Sequence, residues 1–474
     1  MSERLIVIGG GAAGTAAATT ARRVAPQLHV SVFSEFPDIA YSPCGIPYAH
    51  GREIPEFKAL FLSTVQRYVE EGLDMRMETT VTDIDLDRRT ITARNKHEGF
   101  DRLILCTGFL WEQPDVPGSN LEGLHYVKDI RRAIEFDREL ERMKRAVVIG
   151  GMWLGVEMSG ALARRGLEVQ FIDEGPWLLS ELVDPDVAAP AQEALERLGV
   201  AVRMGTRLEA FEGSGGRVRA VATSAGELEC DVAVICLHKL PNTTLPRAAG
   251  LELGSTGAVV VDDHMRTSAE GVWAAGDVVE VPHGLTMLPI SGLTGSHAYA
   301  QGRVAGANAA GEERTYDPVW IPWGFMAGDY TIGGFSIGET LAEALGIPYV
   351  LAKGVGVSRA RYYPGAVRTH VKLLAEPDTL RLIGAQLHGG EGIKERCDFL
   401  AFAAARGVTL DDLAWMENIY SPPIGALYEP IQIAAQNGLA ELRDKGSGGA
   451  AGGVASGAAA SPAGAGAPAS GAAG

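Results

Sequence analysis

Residues Arg4 to Val24 read RLIVIGGGAAGTAAATTARRV. The opening RLIVI is a short apolar, β-branched run of the kind found in a strand buried on both faces of a parallel sheet. It ends in glycines and passes into an alanine-rich stretch that reads as a helix. Gly9, Gly11 and Gly14 supply G-x-G-x-x-G at the strand-to-helix turn. The first glycine permits the tight turn, the second lets a pyrophosphate approach the backbone, and the third lets the helix pack closely. LHVSVFS, beginning at Leu28, supplies the next strand and completes a βαβ unit of a dinucleotide fold.

The same grammar returns at Arg145. RAVVIGGMWLG reads as strand and turn, VEMSGALARRG as a helix closed by glycine, and LEVQFIDE as the next strand. FDRLILCTG and ECDVAVICL each read as a strand after an acidic turn. From about Val319 the text changes to YTIGGFSIG and VRTHVKLLAEPDTLRLIGAQ, which are strand-like, and then to the helical KERCDFLAFAAARG. A chain of 474 residues exceeds one compact core. The fold class expected is therefore α/β, with two Rossmann-like nucleotide-binding domains and a C-terminal α+β domain.

A formal charge of -17 argues against nucleic acid as a partner. The five cysteines stand without CxxC spacing, which fits a reducing compartment, and no ligand-spaced cluster suggests a metal. No signal-peptide pattern and no membrane-length apolar run occur, so a cytoplasmic protein without a membrane partner is expected. From Gly446 to Gly474 the chain holds only Gly, Ala, Ser, Pro and one Val, a composition expected to stay disordered.

Two further stretches carry chemistry. AAGD, Ala274 to Asp277, follows an apolar strand, and an acidic side chain at a strand end can bond a ribityl or ribose hydroxyl. YSPCGIPY, Tyr41 to Tyr48, sets Cys44 where a turn enters a helix, and a helix N-terminus lowers a thiol pKa. Cys106, Cys230, Cys236 and Cys397 lie within strand or helix patterns, where a free cysteine is a small buried hydrophobe.

The order VIGGGAAG, SPCGIPY, LILCTG, VVIGG, LPNT, AAGD, QGR, YYPGA and YSPP resembles the pyridine nucleotide-disulfide oxidoreductases over Arg4 to Leu442. Within them it is most similar to the single-cysteine coenzyme A-disulfide reductase group. The resemblance implies FAD on a discontinuous first domain, residues 1–112 and 246–318, and NAD(P)H on residues 113–245. Residues 319–445 would form a dimerisation domain that closes the active site of the partner in a homodimer. Gly9, Gly11, Gly14, Thr107, Gly108 and Asp277 would hold FAD, with Cys44 beside it. A thiolate held against a flavin is a redox relay. A lone cysteine must form its mixed disulfide, persulfide or sulfenic acid with something external, so the substrate is expected to be a small disulfide or persulfide, such as that of coenzyme A. Tyr362 and Tyr420 match a tyrosine pair that donates to the departing thiolate, with Tyr363 as the alternative to Tyr362.

Departures from the pattern concentrate at the second nucleotide site. Gly150, Gly155, Glu157 and the strand-end Asp173 are retained there, and Asp173 favours NADH over NADPH. Met152 takes the place of the glycine that lets the pyrophosphate approach, Trp153 that of a gating tyrosine, and His238 that of a glycine beside the nicotinamide nucleotide. A side chain at position 152 should collide with the pyrophosphate. An alternative function follows: a flavoprotein of the same fold with impaired NAD(P)H binding, which uses another donor or acts as a thiol oxidase. On the FAD side Ser34 replaces a strand-end glutamate, leaving Glu35 to reach the adenosine ribose, and an insertion before QGR brings His297 or Tyr299 near the substrate pocket.

Overall fold

In the computed structural model, which describes residues 3–448, the opening motif forms the strand Arg4–Ile8 and the helix Ala12–Val24. That strand is central in a parallel sheet ordered Val272–Ala274, Arg102–Leu105, Arg4–Ile8, His29–Phe33, Asp74–Arg76. Val272–Ala274 joins from far along the chain, so the first unit is built from two separated stretches. A second parallel sheet runs Ala201–Arg203, Glu168–Ile172, Arg145–Ile149, Val232–Ile235, Leu124–Tyr126. Each sheet is accompanied by a three-stranded antiparallel one.

The two glycine turns are near copies, and the backbone explains why. Gly9 has φ +115° and Gly150 φ +111°, a region L side chains rarely adopt. A Cβ on Gly14 would lie 1.9 Å from the Gly9 carbonyl oxygen, and one on Gly155 would lie 2.1 Å from that of Gly150. Helix and strand therefore meet at a distance only glycine allows.

The third unit is an antiparallel sheet ordered Pro322–Ala327, Tyr330–Ser336, Leu382–Gly389, Arg368–Ala375, Val350–Val357. Alternation along Arg368–Ala375 sends Val371, Leu373 and Ala375 into a core shared with helix Ile393–Ala405. The intervening Lys372 is buried on the opposite side. Its Nζ lies 2.8 Å from Asp184, 2.6 Å from Asp186 and 2.6 Å from Glu339. Those three carboxylates are the one group with metal-like spacing among the described residues, and the ammonium fills it.

The last helix runs Pro430–Gly448, three residues into the stretch expected to be disordered. The remainder of that stretch lies outside the described residues. Among the described residues no helix is long and apolar enough to cross a membrane.

Candidate active site

Cys44 lies in the single turn Pro43–Gly45, which runs into the helix Ile46–His50. It is the exposed cysteine; Cys106, Cys230, Cys236 and Cys397 are buried. Proline preorganises the turn, and the far end of the helix is clamped. His50 Nδ1 lies 3.3 Å from Asp137, which also takes Arg52 at 2.8 Å and Arg165 at 2.7 Å. Burial opposes ionisation of Asp137, but hydrogen bonds from His50, Arg52 and Arg165 outweigh it and hold its carboxyl below the usual range.

One helical turn after Cys44, the Tyr48 hydroxyl donates to Glu157 Oε1 at 2.7 Å. Glu157 comes from the helix Trp153–Arg164 of the second unit, so the cysteine turn and that unit meet here. Burial raises the Glu157 carboxyl to about 7. The expectation of a thiol acidified by its helix is corrected: burial, and then the Glu157 charge, push the Cys44 thiol up, while Lys239 opposes them. A five-residue helix presents too small a dipole to win against that. Glu157→Gln should therefore lower the pH midpoint of Cys44 alkylation by about one unit, measured by mass spectrometry of iodoacetamide-treated protein across pH 6–10. An unchanged midpoint would show that the carboxyl does not act on the sulfur.

Around the first glycine turn, a Cβ on Gly11 would meet nothing within 4 Å, so nothing in the protein demands glycine there. The space is one a ligand would fill, and the first N–H groups of helix Ala12–Val24 have no intrahelical partner. These features fit a dinucleotide pyrophosphate. Thr107 Oγ1 donates to the Asn242 carbonyl at 2.7 Å, and Asn242 N to that of Gly108 at 2.9 Å, tying LCTG to LPNT. Asp277 takes Lys239 Nζ at 3.2 Å. His297 is buried and holds Thr294 Oγ1 at 2.7 Å, whereas Tyr299 is exposed. Glu35 is exposed just beyond the strand His29–Phe33.

At the second turn the backbone has not shifted to make room. Met152 has φ -76° and ψ 167°, against φ -79° and ψ -167° at Gly11, so only the side chain differs. Asp173 accepts hydrogen bonds from Gly151 N at 2.6 Å and Gly175 N at 2.8 Å, and thus orders the turn itself. His238 bridges Glu112, at 3.0 Å from Nδ1, and Glu181, at 3.2 Å from Nε2. Burial lowers its pKa, but the two carboxylates outweigh that and raise it.

Tyr362 and Tyr420 are 58 residues apart in sequence, yet their hydroxyls lie 2.7 Å from each other. Both are exposed. Tyr363 N–H donates to the Ala360 carbonyl at 2.8 Å. A cavity of about 420 Å³ opens beside Tyr48 and Glu157 and is walled by Ser296, Trp323 and Phe325.

Sequence reasoning missed Tyr48 as the partner of Glu157, and it missed Lys239 and Lys128. Lys128 Nζ donates to the Phe109 carbonyl and lies 4.0 Å from the Phe109 ring centroid. Tyr48 stood inside the quoted cysteine motif, and Lys239 between the noted His238 and LPNT, but nothing local marks either as facing the site.

A fold with two nucleotide units and one exposed cysteine beside them defines a flavin- and pyridine-nucleotide-linked oxidoreductase. The chain belongs to the pyridine nucleotide-disulphide oxidoreductase family, whose model matches residues 3–311. Membership implies binding of FAD and of NAD(P)H. The chain is 34% identical to an NADH oxidase of Methanocaldococcus jannaschii, over 93% of this chain and 100% of that one. It is 30% identical to an NAD(P)H coenzyme A polysulfide/persulfide reductase of Pyrococcus horikoshii, over 92% and 98%. Among solved structures, an NAD-dependent persulfide reductase from A. fulgidus superposes with a TM-score of 0.89 at 30% identity, covering 94% of this chain and 84% of that one. Reduced CoADR-RHD from Bacillus anthracis gives 0.90 at 26% identity, covering 94% and 81%.

Proposed function

We propose that this protein takes electrons from NADH through FAD and reduces a low-molecular-weight disulfide or persulfide, such as that of coenzyme A, at Cys44. The observation that carries the reading is the solitary exposed sulfur of Cys44, on the turn Pro43–Gly45 that leads into the helix whose Tyr48 bonds Glu157. Relatives named for coenzyme A persulfide reduction support the substrate class.

In this reading Gly9, Gly11, Gly14, Thr107, Gly108 and Asp277 hold FAD, with Glu35 at the adenosine ribose. Gly150, Gly155, Glu157 and Asp173 hold NADH. Bound FAD supplies two-electron chemistry, accepting a hydride and passing its electrons to sulfur. The Cys44 thiolate attacks one sulfur of RS–SR; a Cys44–SR disulfide forms and RS⁻ leaves. The departing thiolate takes a proton from the Tyr362–Tyr420 pair of a second copy. Two electrons then split Cys44–SR into the Cys44 thiolate and a second RS⁻. The dimer this needs is supported by Trp415, Ile419, Ile424 and Tyr428, each more than two-thirds exposed on the third unit.

Anaerobic NADH oxidation that depends on added coenzyme A disulfide or persulfide is the expected result. A second reading, an oxidase, is favoured by the relative named NADH oxidase. Oxygen consumption at the same rate without any sulfur substrate would establish that reading and overturn the first. Met152→Gly should tighten NADH about tenfold, read as the NADH concentration giving half-maximal anaerobic flavin bleaching. No change would mean that the thioether already folds clear of the pyrophosphate.

A further inference from the structure

Tyr48 lies on the helix that leads away from Cys44, yet its hydroxyl is given to the second unit, where it donates to Glu157 Oε1 at 2.7 Å. The two side chains also line one cavity, the space of about 420 Å³ walled by Ser296, Trp323 and Phe325. The elements that carry them are fastened to each other by other contacts. A Cβ on Gly51 would lie 3.2 Å from Ala161 Cα, Arg165 Nη1 donates to the His50 carbonyl at 3.2 Å, and Arg164 pairs with Glu53. Helix Ile46–His50 is thereby held along helix Trp153–Arg164, which opens at the second glycine turn. None of these contacts passes through the Tyr48 hydroxyl, so the two helices stay together without it.

The hydroxyl serves the carboxyl instead, because a buried carboxylate without a donor is costly. Burial raises the Glu157 carboxyl to about 7 and the charge of Glu53 adds to that, while the bond from Tyr48 opposes both. Cys44 on the turn and Cys236 just past the strand Val232–Ile235 are thiols that burial and the Glu157 charge push up, and they bring no counter-charge. Across the cavity Lys394 is paired with Asp398 at 2.6 Å; on the Glu157 helix and just beyond it, Arg164 serves Glu53 and Arg165 serves Asp137. Burial, and then the Glu157 charge, also push the Tyr48 phenol up, which keeps it a protonated donor. Among the described residues no second donor reaches the carboxyl, so Oε2 is left to accept from a ligand.

We propose that Tyr48 is a positioning residue of the second nucleotide site: its hydroxyl fixes Glu157 as a carboxylate whose other oxygen accepts from an N–H donor of NADH. Tyr48 acts through Glu157 and exchanges no proton in turnover. The inference rests on the reading of Glu157 as an NADH ligand, and its first measurement needs no nucleotide.

That measurement is the pH midpoint of the protonated-carboxyl infrared band of Glu157 in the oxidised, FAD-loaded protein, isolated as the part of the pH-difference spectrum that Glu157→Gln removes. Tyr48→Phe, which keeps the ring and loses the donor, should raise the midpoint by about one unit. NADH binding should follow it. In the wild type the NADH concentration for half-maximal anaerobic flavin bleaching should fall as pH rises through about 7, because the carboxylate is the better acceptor. In Tyr48→Phe the fall should come about one unit higher, leaving a deficit of about fivefold at pH 7 that closes by about pH 9.5. In a Glu157→Gln background, Tyr48→Phe should change nothing further. An unmoved band midpoint overturns the proposal. So does an NADH deficit of the same size at every pH, or one that persists in the Glu157→Gln background, since the phenol would then act through packing. A midpoint that rises while NADH binding stays unchanged in both single variants overturns the nucleotide role through the reading it rests on and leaves the hold of Tyr48 on Glu157 intact, so the two failures are told apart.

Discussion

Cys44→Ser should abolish reduction of coenzyme A disulfide or persulfide, with turnover falling at least about 10³-fold, as expected when a nucleophile is removed. FAD content should be unchanged, because the groups proposed to hold FAD, namely Gly9, Gly11, Gly14, Thr107, Gly108, Asp277 and Glu35, are all left in place. Anaerobic bleaching of the flavin by NADH should also persist, since hydride delivery precedes the sulfur step. The four buried cysteines give the control: Cys106 and Cys230 are pushed up to about 12 by burial and hold no thiolate at neutral pH. Purified without reductant, the wild type should carry its adduct on Cys44 alone, located by intact mass and peptide mapping. A serine variant that still turned over disulfides would move the chemistry to the flavin itself. One that lost FAD as well would make Cys44 part of the cofactor site.

What the sequence made legible is what local backbone geometry enforces. Gly9 and Gly14, and again Gly150 and Gly155, could be read because each is required by positive φ or by contact with the carbonyl of a residue five positions away. Met152 could be read as a departure for the same reason, since the turn around it is otherwise unchanged. The Tyr362–Tyr420 pair came from resemblance, and the 2.7 Å between the hydroxyls depends on two loops that no local pattern brings together. The rest of the site is tertiary. Tyr48 and Glu157 are 109 residues apart and Lys239 and Asp277 are 38 apart, and each partner also makes sense alone as a surface or core residue. That is why the acidity of Cys44 does not follow from its local sequence. The helix is visible in the sequence, while the Glu157 carboxylate that acts against it comes from the second unit.

The same kind of long-range contact carries the largest stability effect expected. Lys372→Met should destabilise the protein by about 3–5 kcal/mol at pH 7, because it strands buried carboxylates rather than merely deleting a salt bridge. Asp184 is 2% exposed and also accepts backbone N–H groups of Glu339 at 2.9 Å and Thr340 at 2.8 Å, so it cannot turn away to water. It stands just before helix Pro185–Arg197 of the second unit, while Lys372 and Glu339 belong to the third, and the cluster therefore ties the two together. The signs are fixed by the charges. Burial opposes the Lys372 charge, but the three carboxylates outweigh it and raise its pKa, so its contribution is full below about pH 10.4 and is lost as pH rises through the folded value. Asp186, held low chiefly by Lys372 against the cost of burial, contributes above about pH 3.9 and loses that contribution as pH falls through its folded value. In the variant the carboxylates lose their counter-charge and cost most when ionised, so its deficit should be small near pH 4 and grow towards pH 7. Adding Asp184→Asn to Lys372→Met should recover part of the loss and flatten that slope, measured as denaturation midpoints between pH 4 and 8. A deficit independent of pH would assign the effect to packing of the lysine stem, and the charge argument would fail.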